Sequence, residues 1–215
     1  MGRFRLVIFD VDGTLLNTSE GILESVRYTI KKYGLEMLEE SVLKTFIGPP
    51  IQESFQRAYH LDEETVKKLT ETFRGRYKSV DLLKAVPYEG IFDVFRYLKE
   101  SGTRIAIATY KRQDYAEIIL RHFGFRAYSD IIFGADHNNK LRKSDIIKKC
   151  LSAAQLDSSA EAVMIGDSEN DATGAKEAGV QFIGVTYGFG FQNQYMEKVS
   201  ALGMADEPIQ LKKYL

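Results

Sequence analysis

The chain opens on a run, Leu6 to Asp10, that is apolar without alternation and is cut off by Asp12-Gly13. A strand with that pattern is buried on both faces, as in a parallel sheet covered by helices. Similar short runs recur at Arg104 to Thr109, Asp130 to Gly134, Ala162 to Gly166 and Gln181 to Thr186. Between the later runs apolar residues return at helical spacing: Ile91, Val94, Phe95 and Leu98; Tyr115, Ile118, Ile119 and His122; Ile146, Ile147, Cys150 and Leu151. Gly102 and Gly124 fall just past two of these helices, where a left-handed residue ends the turn. Alternating helix and strand from Tyr88 onward predicts an α/β fold, with a doubly wound, Rossmann-like parallel sheet.

Asp10 and Arg104 are too far apart in the chain for one crossover helix. Asn17 with Glu20 would make a capping box for a helix burying Ile22, Val26, Ile30 and Tyr33 and stopping at Gly34. Asp62 would cap a second helix that buries Val66, Leu69, Phe73 and Tyr77, and shorter helical pieces surround 42–46 and 51–59. The expected division is therefore a core of residues 1–15 and 83–215 with an all-helical insert at 16–82. Leaving and rejoining the core beside the first strand would suit a lid.

Composition narrows the function classes. A 215-residue chain with 29 Lys and Arg against 30 Asp and Glu has a net charge of −1, so no long-range field attracts a polyanion. Nucleic acid is not the expected partner, and neither is a membrane, since no apolar run approaches the roughly 18 residues that span a bilayer. The start lacks a signal-peptide cleavage pattern, and Leu6 stands where a myristoylation signal needs Ser or Thr. With one cysteine, Cys150, no intrachain disulfide is possible, which fits a cytoplasmic setting.

Ligands of open parallel sheets bind beyond the carboxyl ends of the strands, and three of those ends are polar. The first run ends in Asp10-Val11-Asp12-Gly13-Thr14, the second in Thr109, and the fourth in Gly166-Asp167-Ser168-Glu169-Asn170-Asp171. Several carboxylates on one rim repel one another and resist desolvation unless a hard cation such as Mg²⁺ sits among them. Each segment alone also has a plain reading: Asp-Gly is turn chemistry, and Gly-Asp-Ser-x-x-Asp can be the N-cap of a helix running to Ala178. The basic stretch at Lys140, Arg142 and Lys143 can be solvated surface. Ser144 as an N-cap would instead place Lys143 at a helix start facing the site.

Taken together and in order, Asp10 to Thr14, Thr109, Lys143 and Gly166 to Asp171 resemble the four motifs of haloacid dehalogenase-like phosphatases. The helical insert resembles the small cap of their phosphoglycolate phosphatase and β-phosphoglucomutase branch. Lys143-Ser144 departs from the Lys-Pro often found at the third motif. The resemblance implies a phosphoric monoester hydrolase in which Asp10 is the nucleophile and Asp12 the general acid and base. Thr109 and Lys143 would bind phosphate. Mg²⁺ would be held by Asp10, the backbone carbonyl of Asp12 and Asp167, with Asp171 ligating directly or through water. The implied substrate is a small organic phosphate: phosphoglycolate, a nucleoside monophosphate or a sugar phosphate.

Asp12 argues against a dehalogenase, which has no alkoxide to protonate. A sugar-phosphate mutase of this branch typically carries a His in the first cap helix and an Arg after the cap glycine, and the corresponding places here fall near Ile22 and at Ile51. That mutase and a non-catalytic phosphate-sensing module are the alternatives. Gly48-Pro49-Pro50 is either a selectivity loop or a rigid turn, and Gly184 to Phe191 either presents amides and rings to a substrate or packs its aromatics inward. His60, His122 and His137 lack metal-ligand spacing and are assigned no chemistry. Monomer and dimer are both compatible with the sequence.

Overall fold

The computed structural model describes residues 2–136, 140–156, 158–191 and 200–215. The chain divides into two compact units, Met1–Asn17 with Pro87–Leu215, and Thr18–Val86. In the first unit, β1 (Leu6–Phe9) is fully buried and ends at Asp10, and β2 (Leu16–Asn17) leads out of it. The chain returns through β3 (Val86–Pro87), where the Tyr88 amide donates to the Leu15 carbonyl.

The helical unit contains α1 (Ser19–Lys32), α2 (Glu40–Lys44), α3 (Ile51–Tyr59) and α4 (Glu63–Arg76), followed by a π-helical turn at Tyr77–Asp81. Asp62 caps α4 as expected, accepting from the Thr65 amide at 2.9 Å, and Val66, Leu69, Phe73 and Tyr77 are buried. Asn17 belongs to β2, and the N-cap of α1 is Thr18, one residue later than expected. The crossings at Asn17/Thr18 and Val86/Pro87 lie beyond the expected 15/16 and 82/83. The later return has a physical cause, because Lys84 is tied by ion pairs to Glu24 and Asp81 inside the helical unit.

After β3 the core continues with α5 (Ile91–Glu100), β4 (Arg104–Arg112), α6 (Gln113–His122), β5 (Ile131–Ala135), α7 (Lys143–Ala154), β6 (Ala162–Gly166), α8 (Glu169–Ala178), β7 (Gln181–Val185) and β8 (Gly203–Ala205). The sheet order is β5-β4-β1-β6-β7-β8, and every recorded pairing in it is parallel. This is the expected Rossmann-like core. Burial of Ile91, Val94, Phe95 and Leu98 on α5, and of Ile146, Ile147 and Cys150 on α7, follows the helical spacing. On α6 the buried face is Tyr115, Ala116, Ile119 and Leu120; Ile118 is 42% exposed and His122 lies at the surface. β8 was not foreseen, since Gly203-Met204-Ala205 is too short to show a period.

β1 lies between β4 and β6, with Phe9 opposite both Ile107 and Ile165. Asp10 and Asp167 therefore leave the sheet at nearly one level, with Thr109 beside them on β4, on neighbouring strands. The chain runs from β1 to β4 and β5 on one side and then crosses to β6 on the other, so this edge is the switch point where such sheets bind ligands.

Candidate active site

Asp10 sits one residue past β1, and its amide donates to the Ile165 carbonyl at 2.9 Å, which fixes it beside β6. Its Oδ1 accepts from Lys143 Nζ at 2.6 Å, and the same ammonium lies 2.6 Å from Asp171 Oδ1. Lys143 is thus the buried lysine of the basic stretch. It is the first residue of α7, with Arg142 rather than Ser144 as N-cap, because Asp145 accepts from the Arg142 amide. Ser144 instead donates to Glu177. Gly174 of α8 makes room for Lys143: a Cβ there would lie 2.7 Å from Lys143 Cγ. The Lys143 amide donates to the Tyr110 hydroxyl at 3.0 Å, and its ammonium stands 5.5 Å from the Tyr110 ring centre.

The plain reading of Gly166 to Asp171 as a helix cap holds, and the same segment also brings Asp167 and Asp171 beside Asp10. Ser168 caps α8 in a capping box with Asp171, whose Oδ2 accepts from the Ser168 amide and hydroxyl at 3.1 and 2.6 Å. That leaves Asp171 Oδ1 facing Lys143. One carboxylate oxygen from each of Asp10, Asp167 and Asp171 lies within 4.8 Å of the others.

Asp167 Oδ2 accepts from the Phe189 and Gly190 amides at 2.7 and 3.1 Å. The loop after β7 therefore does present amides to the site, though to a site carboxylate. Its aromatics pack inward: Tyr187 donates to the Thr14 carbonyl and tilts against Tyr88, and Phe191 is buried against Phe182.

Thr109 is buried as expected, but it does not end its strand. β4 continues to Arg112, with its register against β5 irregular between Ala108 and Arg112. That extension brings in a residue the sequence reading missed: Lys111 Nζ stands 3.0 Å from Asp12 Oδ1, and both side chains are buried. The Lys111 amide also donates to Thr109 Oγ1 at 3.1 Å. The signal was present in Thr109-x-Lys111, but taking Thr109 as the strand end hid it.

Four buried carboxylates, Asp10, Asp12, Asp167 and Asp171, face two buried ammonium groups, Lys111 and Lys143, leaving two uncompensated negative charges. The consequence shows in the titration of the cluster. Burial, reinforced by Asp171 and Asp12 and opposed by Lys143, pushes Asp10 up to about 7. Burial and the Asp171 and Asp10 charges push Asp167 well above the usual carboxylate range. Lys143 is held ionised, since Asp10 and Asp171 outweigh its own desolvation. A dication matches both the residual charge and the all-oxygen donors, so the residues fit Mg²⁺.

His60 and His122 lie outside this constellation, and His137 is outside the described residues. Among the described residues no helix is long and apolar enough to cross a membrane.

Comparison with known proteins agrees with the motifs. The model of the haloacid dehalogenase-like hydrolases matches residues 7–185, and the chain belongs to that family. A 5'-nucleotidase of Pseudomonas aeruginosa is 32% identical over 89% of this chain and 87% of its own. The pyrophosphatase PpaX of Halalkalibacterium halodurans is 32% identical over 84% and 83%. The crystal structure of a protein described as a predicted phosphatase from Clostridium acetobutylicum superposes with a TM-score of 0.90 at 34% identity, covering 98% of this chain and 97% of that one. The expected family, fold and enzyme class, a hydrolase of the phosphatase type, stand on these matches.

Proposed function

We propose that this chain is a Mg²⁺-dependent phosphatase that hydrolyses a small organic phosphomonoester through an aspartyl-phosphate on Asp10. The observation that carries the reading is the buried Asp10–Lys143–Asp171 bridge beside Asp167, a cluster two positive charges short of neutrality. Bound by the Asp10, Asp167 and Asp171 carboxylates and the Asp12 carbonyl, Mg²⁺ would supply those charges, keep the nucleophile ionised and offset phosphoryl repulsion.

In the first half-reaction an Asp10 oxygen attacks phosphorus, the ester P–O bond breaks, and Asp12 protonates the leaving oxygen. In the second, water attacks the same phosphorus, Asp12 takes its proton, and phosphate leaves as Asp10 is restored. Thr109, whose Oγ1 accepts from the Lys111 amide, keeps its O–H to donate to a phosphoryl oxygen. Lys143 contributes a fixed positive charge to the same group.

Nucleoside monophosphates, phosphoglycolate-like esters and sugar phosphates are the substrates proposed. The nucleotidase relative favours testing nucleotides first, and the pyrophosphatase relative adds pyrophosphate to the panel. A mutase is less well supported, because Ile22 is apolar and buried in its own helical unit. Cys150 is a free, buried thiol, as a reducing compartment allows, and we place the protein in the cytoplasm. The test is phosphate release from that panel by wild type and Asp10→Asn, with Mg²⁺ and with chelator, including product analysis for β-glucose 1-phosphate. Release that needs both the metal and Asp10 supports the proposal. Interconversion of sugar phosphates without release would replace it with the mutase, and tight ester binding without turnover with the sensor.

A further inference from the structure

We propose that Lys111 is a positioning residue that holds the Asp12 carboxylate away from the cation cluster and so keeps it free for proton transfer. The inference builds on the reading of Asp12 as the acid and base. Asp12 is two residues from Asp10, yet the oxygens that approach one another are those of Asp10, Asp167 and Asp171. Asp12 Oδ1 is instead paired with Lys111 Nζ at 3.0 Å, between side chains only 9% and 4% exposed.

An ion pair that buried is not screened by water, and burying an ammonium costs several kcal/mol unless a partner compensates it. Lys111 is delivered by β4 running past Thr109 through the irregular pairing with β5. The same three-residue stretch thus fixes two groups: the Lys111 amide orients Thr109 Oγ1, and the Lys111 ammonium holds Asp12. Without Lys111, a fourth carboxylate would be left next to a dication that prefers carboxylate oxygen. Asp12 would then turn into the coordination shell, where it can neither protonate a leaving group nor take a proton from water.

The test has two arms. In the first, Mg²⁺ and Mn²⁺ are titrated calorimetrically into wild type, Lys111→Met, Asp12→Asn and the double variant. Lys111→Met is expected to bind the cation about fivefold to tenfold more tightly, and the gain should vanish when Asp12 is already Asn. An equal gain in both backgrounds would mean that Lys111 acts only as a nearby charge, and unchanged or weaker binding would mean that it does not hold Asp12; either result overturns the proposal. Lys111→Gln carries the same cycle if Met is not tolerated, and Lys111→Arg, which keeps the charge, should match wild type.

The second arm separates positioning from general damage. In single turnovers an alkyl phosphate needs a protonated leaving group and p-nitrophenyl phosphate does not. Lys111→Met should slow release of the alcohol by about 10²-fold with little change in KM, leave nitrophenolate release nearly intact, and be rescued by Arg. Equal losses on both substrates, or no loss on either, would overturn it. Failure of wild type to turn over any ester would count against the phosphatase reading alone, since the cation titrations need no substrate.

Discussion

Each unit of the protein buries acidic side chains, and the two solutions are opposite. In the helical unit Asp81 is fully buried and fully answered: Arg76 Nε donates at 2.7 Å, Ser25 Oγ at 2.9 Å, and Lys84 Nζ stands at 3.0 Å. Burial alone would raise its pKa, but these partners outweigh burial and hold it below the ordinary value. In the core, Lys143 divides itself between Asp10 and Asp171, Asp167 has backbone amides, and the pKa values of Asp10 and Asp167 rise. A carboxylate with enough partners is a structural tie. A cluster left short of positive charge stores repulsion that a ligand can relieve, and that deficit is what makes it the candidate site.

The largest effects should separate the two regions outright. Asp10→Asn is expected to abolish phosphate release, by at least about 10³-fold, while raising the melting temperature in chelator because it removes one of the repelling charges. Asp81→Asn should do the reverse. It should cost about 2 kcal/mol of stability, since the charge that receives Arg76 and Lys84 is gone, and leave cation affinity in the core unchanged. Thermal melts with calorimetric Mg²⁺ titration of both variants would decide, and destabilisation by Asp10→Asn would break the contrast.

A smaller effect concerns how Asp167 is held. At Gly188 an added Cβ would lie 2.4 Å from both Asp167 Oδ2 and the Gly13 carbonyl. Gly188→Ala must therefore push the loop off, taking the Phe189 and Gly190 amides from Asp167. Cation affinity should fall about tenfold, the usual scale for losing a group that orients a metal ligand. Equal Mg²⁺ affinity in the variant would show that Asp167 needs no strap.

The same contrast has a pH signature of two signs. Asp81, lowered in the folded state, contributes stability that is present above its unfolded value near 3.8 and is lost as pH falls. Asp10, raised to about 7, does the opposite: above pH 3.8 the unfolded chain ionises first, so stability is lost as pH rises toward 7. Melting temperatures in chelator should accordingly drop between about pH 5 and 7 in wild type, less so in Asp10→Asn, and Mg²⁺ should suppress the drop. A metal-free protein that gains stability across that window would contradict the charge deficit.

What the sequence made legible follows the same physics. The buried strands are continuous apolar runs and the helices α5 and α7 have strong periods, so both were readable, as were Asp10 and Asp167, which stand just past the ends of such runs. Lys143 could be placed only by resemblance and local spacing, because the room for its stem is made by Gly174, some thirty residues away on another helix. Lys111 was missed because strand ends are set by pairing, and the irregular β4–β5 register that carries the chain past Thr109 has no local signature. The second role of Asp171 was equally hidden: a capping box is visible in sequence, but the direction of its spare oxygen depends on α7 packing beside α8.

The smallest effect tests how Lys143 is aimed. As the first residue of α7 it has an amide with no intrahelical acceptor, and the Tyr110 hydroxyl takes that role. Tyr110→Phe keeps the ring beside the ammonium and removes only the acceptor. A half-buried amide at a helix start can turn to water, so the loss should be about 1 kcal/mol, or roughly fivefold in kcat with KM unchanged. Tyr110→Ala, which also removes the ring, should cost more, since the ammonium then loses the surface that confines it between Asp10 and Asp171. Equal kinetics for the two variants would assign the whole effect to the hydroxyl, and a wild-type rate in both would show that the two carboxylates alone hold Lys143 in place.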